Sequence, residues 1–281
     1  MYADGQSEEI LGKALKGKRH QALIATKVRG RTGPGPNDIG LSRPHIMRQV
    51  EESLKRLGTD YIDLYQIHNP DQLTDWEETL RALDDLVPRR QGALHRRPNM
   101  TGWGIMKTLG ISRLHGLHAF KSSQSYYSLA GRELEREVIP VLQDQKMGLF
   151  VWSPLAGGFL TGKYTRENRG SADDRHTKFA FPPVDTEKGY AIIDVLQDIA
   201  AARETTVARI ALAWLLNQPA VTSVIVGAKR PEQLEDNLAA SGIILTEDEL
   251  TRLDEVSRLP YEYPAWPFME EDESIIRKHV K

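Results

Sequence analysis

The chain has 281 residues and a mass of 31.7 kDa, room for one large α/β unit or two small domains. Hydrophobic residues make up 40% and charged residues 27%, an ordinary globular balance, and a formal net charge of -2 excludes the basic field that nucleic acid or an anionic membrane surface demands. With no cysteine there are no disulfides, thiolate nucleophiles or thiolate zinc sites. No apolar run reaches the roughly 20 residues of a spanning helix, and residues 1–20 lack the apolar core of a secretion signal, so a small-molecule ligand and a cytoplasmic setting are expected.

In chain order, Met1 to Gly5 reads as a turn running into a helix. Gln21 to Val28 is a continuous run ending in Thr26-Lys27, as expected of a parallel strand covered on both faces. Ser42 is placed as an N-cap before Ile46, Val50, Leu54 and Leu57, which fall on one helical face. Tyr61 to His68 is the next strand, and Thr74 with Glu77 predicts a capping box ahead of Trp76, Leu80, Leu83 and Val87. Phe120 to Tyr127 and Gly148 to Trp152 read as strands around a helical Glu133 to Lys146. Ser223 to Ala228 is a strand after the helix Val207 to Leu216. Helices at Pro231 to Ala239 and Thr246 to Leu259 close the pattern, the second opened by a capping box of Thr246 and Glu249.

This alternation, with no break in composition, predicts one parallel α/β domain over residues 1–281. A (β/α)8 barrel and a doubly wound sheet are built from the same unit. No G-x-G-x-x-G follows any strand, which lowers the second. The irregular stretch from Tyr164 to Asp185 directly follows the Trp152 strand end, and loops of that length are usually functional or mobile.

In parallel barrels reacting groups gather at the strand ends. Lys27 ends an otherwise apolar strand, where an ammonium either reaches solvent or is held beside a partner. His68 ends the next. Taken alone, each reads more simply as structural, a satisfied hydrogen-bonder or a solvated cation.

Three segments resemble the aldo-keto reductase superfamily: Leu57-Gly58-Thr59-Asp60-Tyr61-Ile62-Asp63-Leu64-Tyr65-Gln66-Ile67-His68, Trp152-Ser153-Pro154-Leu155-Ala156-Gly157-Gly158, and Gly227-Ala228-Lys229-Arg230-Pro231-Glu232-Gln233-Leu234-Glu235-Asp236-Asn237. The resemblance runs through most of the chain in the same order. It implies a (β/α)8 TIM-type barrel and an NADP-dependent oxidoreductase that reduces aldehydes or ketones to alcohols by hydride transfer.

The family's tetrad of Tyr, Lys, His and Asp maps here onto Tyr2, Lys27 and His68, with no residue for the Asp, which the family places five positions before its Tyr. A phenol with a pKa of about 10 protonates the forming alkoxide more readily when an ammonium lies beside it, the role implied for Lys27. His68 would orient the carbonyl. The resemblance further implies Asn99 and Gln124 for the nicotinamide carboxamide, and Trp152 or Tyr126 for ring stacking, where a buried aromatic also reads as core. Ser153, Leu155, Gly157 and Lys163 are implied for the pyrophosphate, and Gly227, Lys229, Arg230, Gln233, Asp236 and Asn237 for the adenosine side. Lys229 and Arg230 favour NADP over NAD if they meet a 2′-phosphate; as a solvated pair of cations they say nothing.

Two departures stand out. The family's N-terminal hairpin and first two barrel strands have no counterpart, so six strand positions of an eight-stranded barrel are expected, with Gln21 to Val28 and Ser223 to Ala228 as exposed edges that invite homo-oligomers. The second is Gly92-Ala93-Leu94-His95-Arg96-Arg97-Pro98-Asn99, where a basic, proline-ended string stands in place of an expected strand. Compensating reading-frame shifts between Val87 and Asn99 would produce it. Beside the reductase stand two other readings: a nicotinamide-binding interaction module like the potassium-channel β subunits of the same family, and a degenerate reductase with little turnover.

Overall fold

A computed structural model describes residues 3–87, 94–168, 179–260, 262 and 263. Six parallel strands form one sheet in sequential order: β1 (Ala25–Val28), β2 (Leu64–Ile67), β3 (Leu94–Pro98), β4 (Ser122–Tyr126), β5 (Gly148–Trp152) and β6 (Val221–Val224). Among the described residues the sheet does not close: β1 and β6 are its edges. Its helices are α1 (Gln6–Ala14), α2 (Arg43–Leu57), α3 (Trp76–Asp84), α4 (Gly102–His115), α5 (Val138–Asp144), α6 (Thr186–Ala202), α7 (Val207–Leu216), α8 (Pro231–Ala239) and α9 (Glu247–Ser257). No helix among the described residues is long and apolar enough to cross a membrane.

The pleat explains which side of each strand the helices cover. Val28, Tyr65, Ile67, Leu149 and Val151 are buried with the helical residues Ile46, Val50, Leu83, Ile105, Ile193 and Trp214 in one core cluster. Their neighbours along the strands are Lys27, Gln66, Gln124 and Trp152, which lie on the opposite face. The run ending at Lys27 is therefore not covered on both faces: Ala25 is exposed and Lys27 half-buried.

Asp63 shows how a charged residue in the second strand segment serves the ladder. Its carboxylate accepts from Arg19 Nη2 (2.7 Å) and from the Ile24 backbone N–H (2.8 Å), and Arg19 also stacks 3.7 Å from the Tyr61 ring centre. The entry to β1 is thereby tied to the entry to β2.

Several boundaries differ from the sequence expectation. Arg19 to Gln21 forms a 3-10 turn ahead of β1, and Glu133 to Asp144 divides into a 3-10 turn and α5. The last strand lies at Val221–Val224, two residues before the expected start. Ser42 occupies the N-cap of α2 without a side-chain bond. Asp75, and not Thr74, caps α3 by accepting from the Glu77 N–H, because the Thr74 hydroxyl is used by Asp71. The Thr246–Glu249 capping box of α9 is present.

Leu94 to Pro98, read from sequence as a string that had lost its strand, is β3. It pairs with β2 at Leu64 to Gln66 and with β4 at Ser122 to Gln124. Ladder bonds use backbone groups that every residue except proline carries in full, so two flanking strands hold the segment extended whatever its side chains, and Pro98 falls at its end. Residues 88–93 of the same departure lie outside the described residues.

One buried cation joins distant parts of the chain. Arg132 bonds Glu135 through Nε (2.7 Å), Ser257 Oγ through Nη1 (2.8 Å) and Asp254 through Nη2 (2.8 Å), and lies 5.3 Å from the Trp214 ring centre. Replacing it takes a donor from Asp254, from the buried Ser257 hydroxyl and from Glu135, which keeps the Tyr127 hydroxyl as a donor. Arg132→Ala is expected to cost about 3 kcal/mol in urea unfolding, and Arg132→Lys to restore less than half of that loss, because an ammonium cannot span all three acceptors.

Candidate active site

The carboxyl ends of the strands carry the residues that the sequence singled out. Lys27 is the third residue of β1 and pairs in register with Gln66, two residues before His68. The His68 N–H donates to the Val28 carbonyl at 2.9 Å, extending the β1–β2 ladder to the imidazole-bearing residue. Asn99 follows β3, and its N–H donates to the Gln124 carbonyl at 3.0 Å. Gln124 lies in β4, and Trp152 ends β5.

Lys27, His68, Asn99, Gln124 and Trp152 line a single cavity of about 350 Å³, together with Asn69 and Phe181. Five positions from five consecutive strand ends converge there. Trp152 Nε1 donates to Asn99 Oδ1 (2.8 Å), and Asn99 Nδ2 donates to Asn69 Oδ1 (3.3 Å), so one amide bridges two strand ends. Asn99 holds a left-handed φ of 51°, a conformation that asparagine tolerates better than most residues. The Trp152 ring stacks on Phe181 with centroids 5.7 Å apart and packs tilted against Tyr126 at 5.3 Å. Tyr126 donates to or accepts from Ser128 Oγ at 2.9 Å, and burial pushes its phenol up to about 12, so it stays protonated.

The remaining positions lie elsewhere around the strand ends. Ser153 adopts φ 53°, and its Oγ accepts from the Gly157 N–H at 3.2 Å, opening a turn in which Gly157 and Gly158 both have positive φ. A Cβ at Gly158 or at Gly227 would meet nothing within 4 Å, so the backbone there faces open space. Leu155 caps this turn, and Lys163 follows it with Nζ 5.1 Å from the Tyr164 ring centre. The Lys229 N–H donates to Gln233 Oε1 (3.0 Å), Arg230 is the N-cap of α8, and Asp236 pairs with Arg209 (2.7 Å) and accepts from Thr206 (2.9 Å). Asn237 lies one residue further along α8. None of the adenosine-side positions lines the strand-end cavity. Tyr2 lies outside the described residues.

Asn69 and Phe181 were not singled out from sequence. Asn69 directly follows His68, and Phe181 comes from the irregular Tyr164 to Asp185 stretch; position next to a strand end and loop length were the available signals.

A family model described as the aldo/keto reductase family matches residues 1–258. This chain belongs to the aldo/keto reductase family. Versiconal hemiacetal acetate reductase of Aspergillus parasiticus is 34% identical over 91% of this chain and 80% of its own length. A probable voltage-gated potassium channel subunit beta of Arabidopsis thaliana is 34% identical over the same shares of the two chains. Aldo-keto reductase YhdN of Bacillus subtilis is 34% identical over 88% of this chain and 74% of its own length. By this resemblance the chain is an NAD(P)H-dependent reductase of carbonyl compounds.

The site's electrostatics have a direction. Burial lowers the pKa of His68, and the positive charges of Lys27 and Arg29 lower it further. The imidazole is then neutral at pH 7 and presents one N–H and one lone pair. Below about 6.5, the ordinary histidine value, the unfolded chain binds a proton that the folded site resists. Stability from this group is complete above that pH and is lost as pH falls through the window beneath it. A histidine NMR titration should place the His68 midpoint below 6.5, and Lys27→Met should move it upward by removing the cation that acts on it most strongly.

Proposed function

We propose that this chain is an NADP-dependent reductase of aldehydes or ketones on an incomplete (β/α)8 barrel, with Tyr2 as proton donor, Lys27 as the cation that tunes it and His68 as the group that orients the carbonyl. The observation that carries the reading is the convergence of Lys27, His68, Asn99, Gln124 and Trp152 on one cavity. The donor set suits a nicotinamide: amide side chains can meet a carboxamide, and the stacked Trp152–Phe181 pair offers a flat apolar wall. When bound, the nicotinamide supplies the reducing equivalent to the carbonyl carbon.

The chain's own groups handle the oxygen. Negative charge grows on the carbonyl oxygen as the carbon is reduced, and an N–H from neutral His68 stabilises it without a proton leaving the ring. The Lys27 ammonium favours loss of a proton from a neighbouring phenol, so that a donor with an ordinary pKa of about 10 can act near neutrality. Asn99 holds Trp152 by its indole N–H, which fixes the ring's tilt and leaves its face as a wall. Ser153, Leu155, Gly157 and Lys163 are proposed for the pyrophosphate, where the backbone of the adjacent Gly158 faces open space and lets phosphate oxygens approach. Gly227, Lys229, Arg230, Gln233, Asp236 and Asn237 are proposed for the adenosine side, with Lys229 and Arg230 selecting NADP by pairing with its 2′-phosphate.

The test is a steady-state assay with NADPH and an aromatic aldehyde, run beside a fluorescence titration of NADPH. Tyr2→Phe, Lys27→Met and His68→Gln should each lower kcat by about 10²- to 10⁴-fold while NADPH still binds. Unchanged kcat in Tyr2→Phe ends that residue's role. Trp152→Ala should weaken NADPH binding about tenfold through lost stacking. The potassium-channel subunit among the relatives favours a second reading, a nicotinamide-binding interaction module; NADPH binding without turnover in the unmodified chain would select it.

A further inference from the structure

A second cavity, of about 470 Å³, opens beside the first, and Lys27 and His68 line both. It lies between α1, β1 and α2, and its wall includes Arg29, Arg31, Arg56 and His45. We propose that this cavity binds the far end of the substrate and that this end is an anion, a carboxylate or phosphate on a small carbonyl compound. The inference rests on the carbonyl-reductase reading of the adjoining cavity.

Charge supplies the first argument. Arg56 is committed to Glu8, which also accepts from the Thr26 hydroxyl. Arg29 and Arg31 have no carboxylate within ion-pair distance among the described residues. Arg29 Nε donates to the Pro70 carbonyl (3.2 Å), and Arg31 Nη1 to the carbonyls of Gly33 (2.9 Å) and Gly35 (3.2 Å). With Lys27 and Arg56, these two bring four cationic side chains to a wall that also carries Asp4 and Glu8. Although the Asp71 carboxylate acts on Arg29, the bonds of the two guanidinium groups to Pro70, Gly33 and Gly35 use backbone carbonyls and leave further donors to meet an anion.

Backbone conformation supplies the second. Arg29 follows β1 with φ 121°, a region costly for a side chain other than glycine, and it is held there by the Gly40 N–H donating to its carbonyl at 3.0 Å. His45, also on this wall, is fully buried and braced by backbone: its Nδ1 bonds the Asn37 carbonyl (3.1 Å), and Gly30 is a second backbone partner, so it shapes the wall behind the arginines. The residues proposed for the cofactor's phosphates lie beyond β5 and β6, toward the opposite edge of the sheet from β1, so this anion site is separate from theirs.

Paired probes test the inference. With NADPH, kcat/KM for 4-carboxybenzaldehyde should exceed that for its methyl ester by about tenfold or more. Raising the sodium chloride concentration should shrink the ratio through KM. In Arg29→Gln/Arg31→Gln the ratio should fall to within about twofold of one. Equal rates for the two aldehydes, or a ratio unmoved in the double variant, overturn the anion site while leaving the reductase reading intact. If neither aldehyde turns over, the reductase reading fails, and calorimetry with the product pair still decides the site. Binding of 4-carboxybenzyl alcohol in preference to its methyl ester, abolished in the double variant, supports it, and indifference between the two refutes it.

Discussion

The site depends on the alternation of side chains along parallel strands. Each strand has an apolar side, represented by Val28, Tyr65, Ile67, Leu149 and Val151, and that side can be buried only where helices pack. Once it is buried, the intervening residues have no choice of direction. Lys27, Gln66, Gln124 and Trp152 must face the other way, and the ladder register sets them at fixed heights. A slip of one residue would send the ammonium of Lys27 into the helix-packed layer and bring Val28 to the cavity. Hydrophobic burial therefore holds the polar groups in place without touching them.

Short polar links then refine what the pleat has placed. Asp63 fastens the start of β1 to the start of β2 through Arg19 and the Ile24 N–H, fixing the register that brings Lys27 level with Gln66. Asn99 reaches both Asn69 and the indole of Trp152, joining the ends of β2, β3 and β5. Asn99 and Ser153, directly after β3 and β5, both hold a left-handed backbone, which ends the extended run of each strand beside the cavity. At the β1 side a second cavity with several cationic side chains on its wall adjoins the first, and Lys27 and His68 line both.

Much of the architecture was legible in the chain because strand and helix patterns differ in period. The helix from Arg43 to Leu57 and the strand from Gly148 to Trp152 follow directly from their apolar spacing. Helices α4 and α6 were not read: Gly102 to His115 carries glycine at three positions, and Thr186 to Ala202 follows a long irregular stretch, so local preference gave little sign of either. The strand at Leu94 to Pro98 was misread for the opposite reason. Its side chains argue against a strand, and its two neighbours impose one through the backbone. Thr74 lost the cap of α3 to Asp75 because Asp71, which also accepts from the Leu41 N–H, claims its hydroxyl.

By itself the sequence determined which residue types stand at the strand ends and which family the chain resembles, since residue type and the spacing of motifs are properties of the linear order. It also determined the parallel α/β class, because periodicity is local. Tertiary structure alone decided that five strand ends share one cavity, that Phe181 and Asn69 join them, and that Arg29 and His45 border a second cavity beside it. Those facts depend on contacts between segments far apart in the chain, and the distance between two segments is fixed by packing and register, which no local pattern encodes.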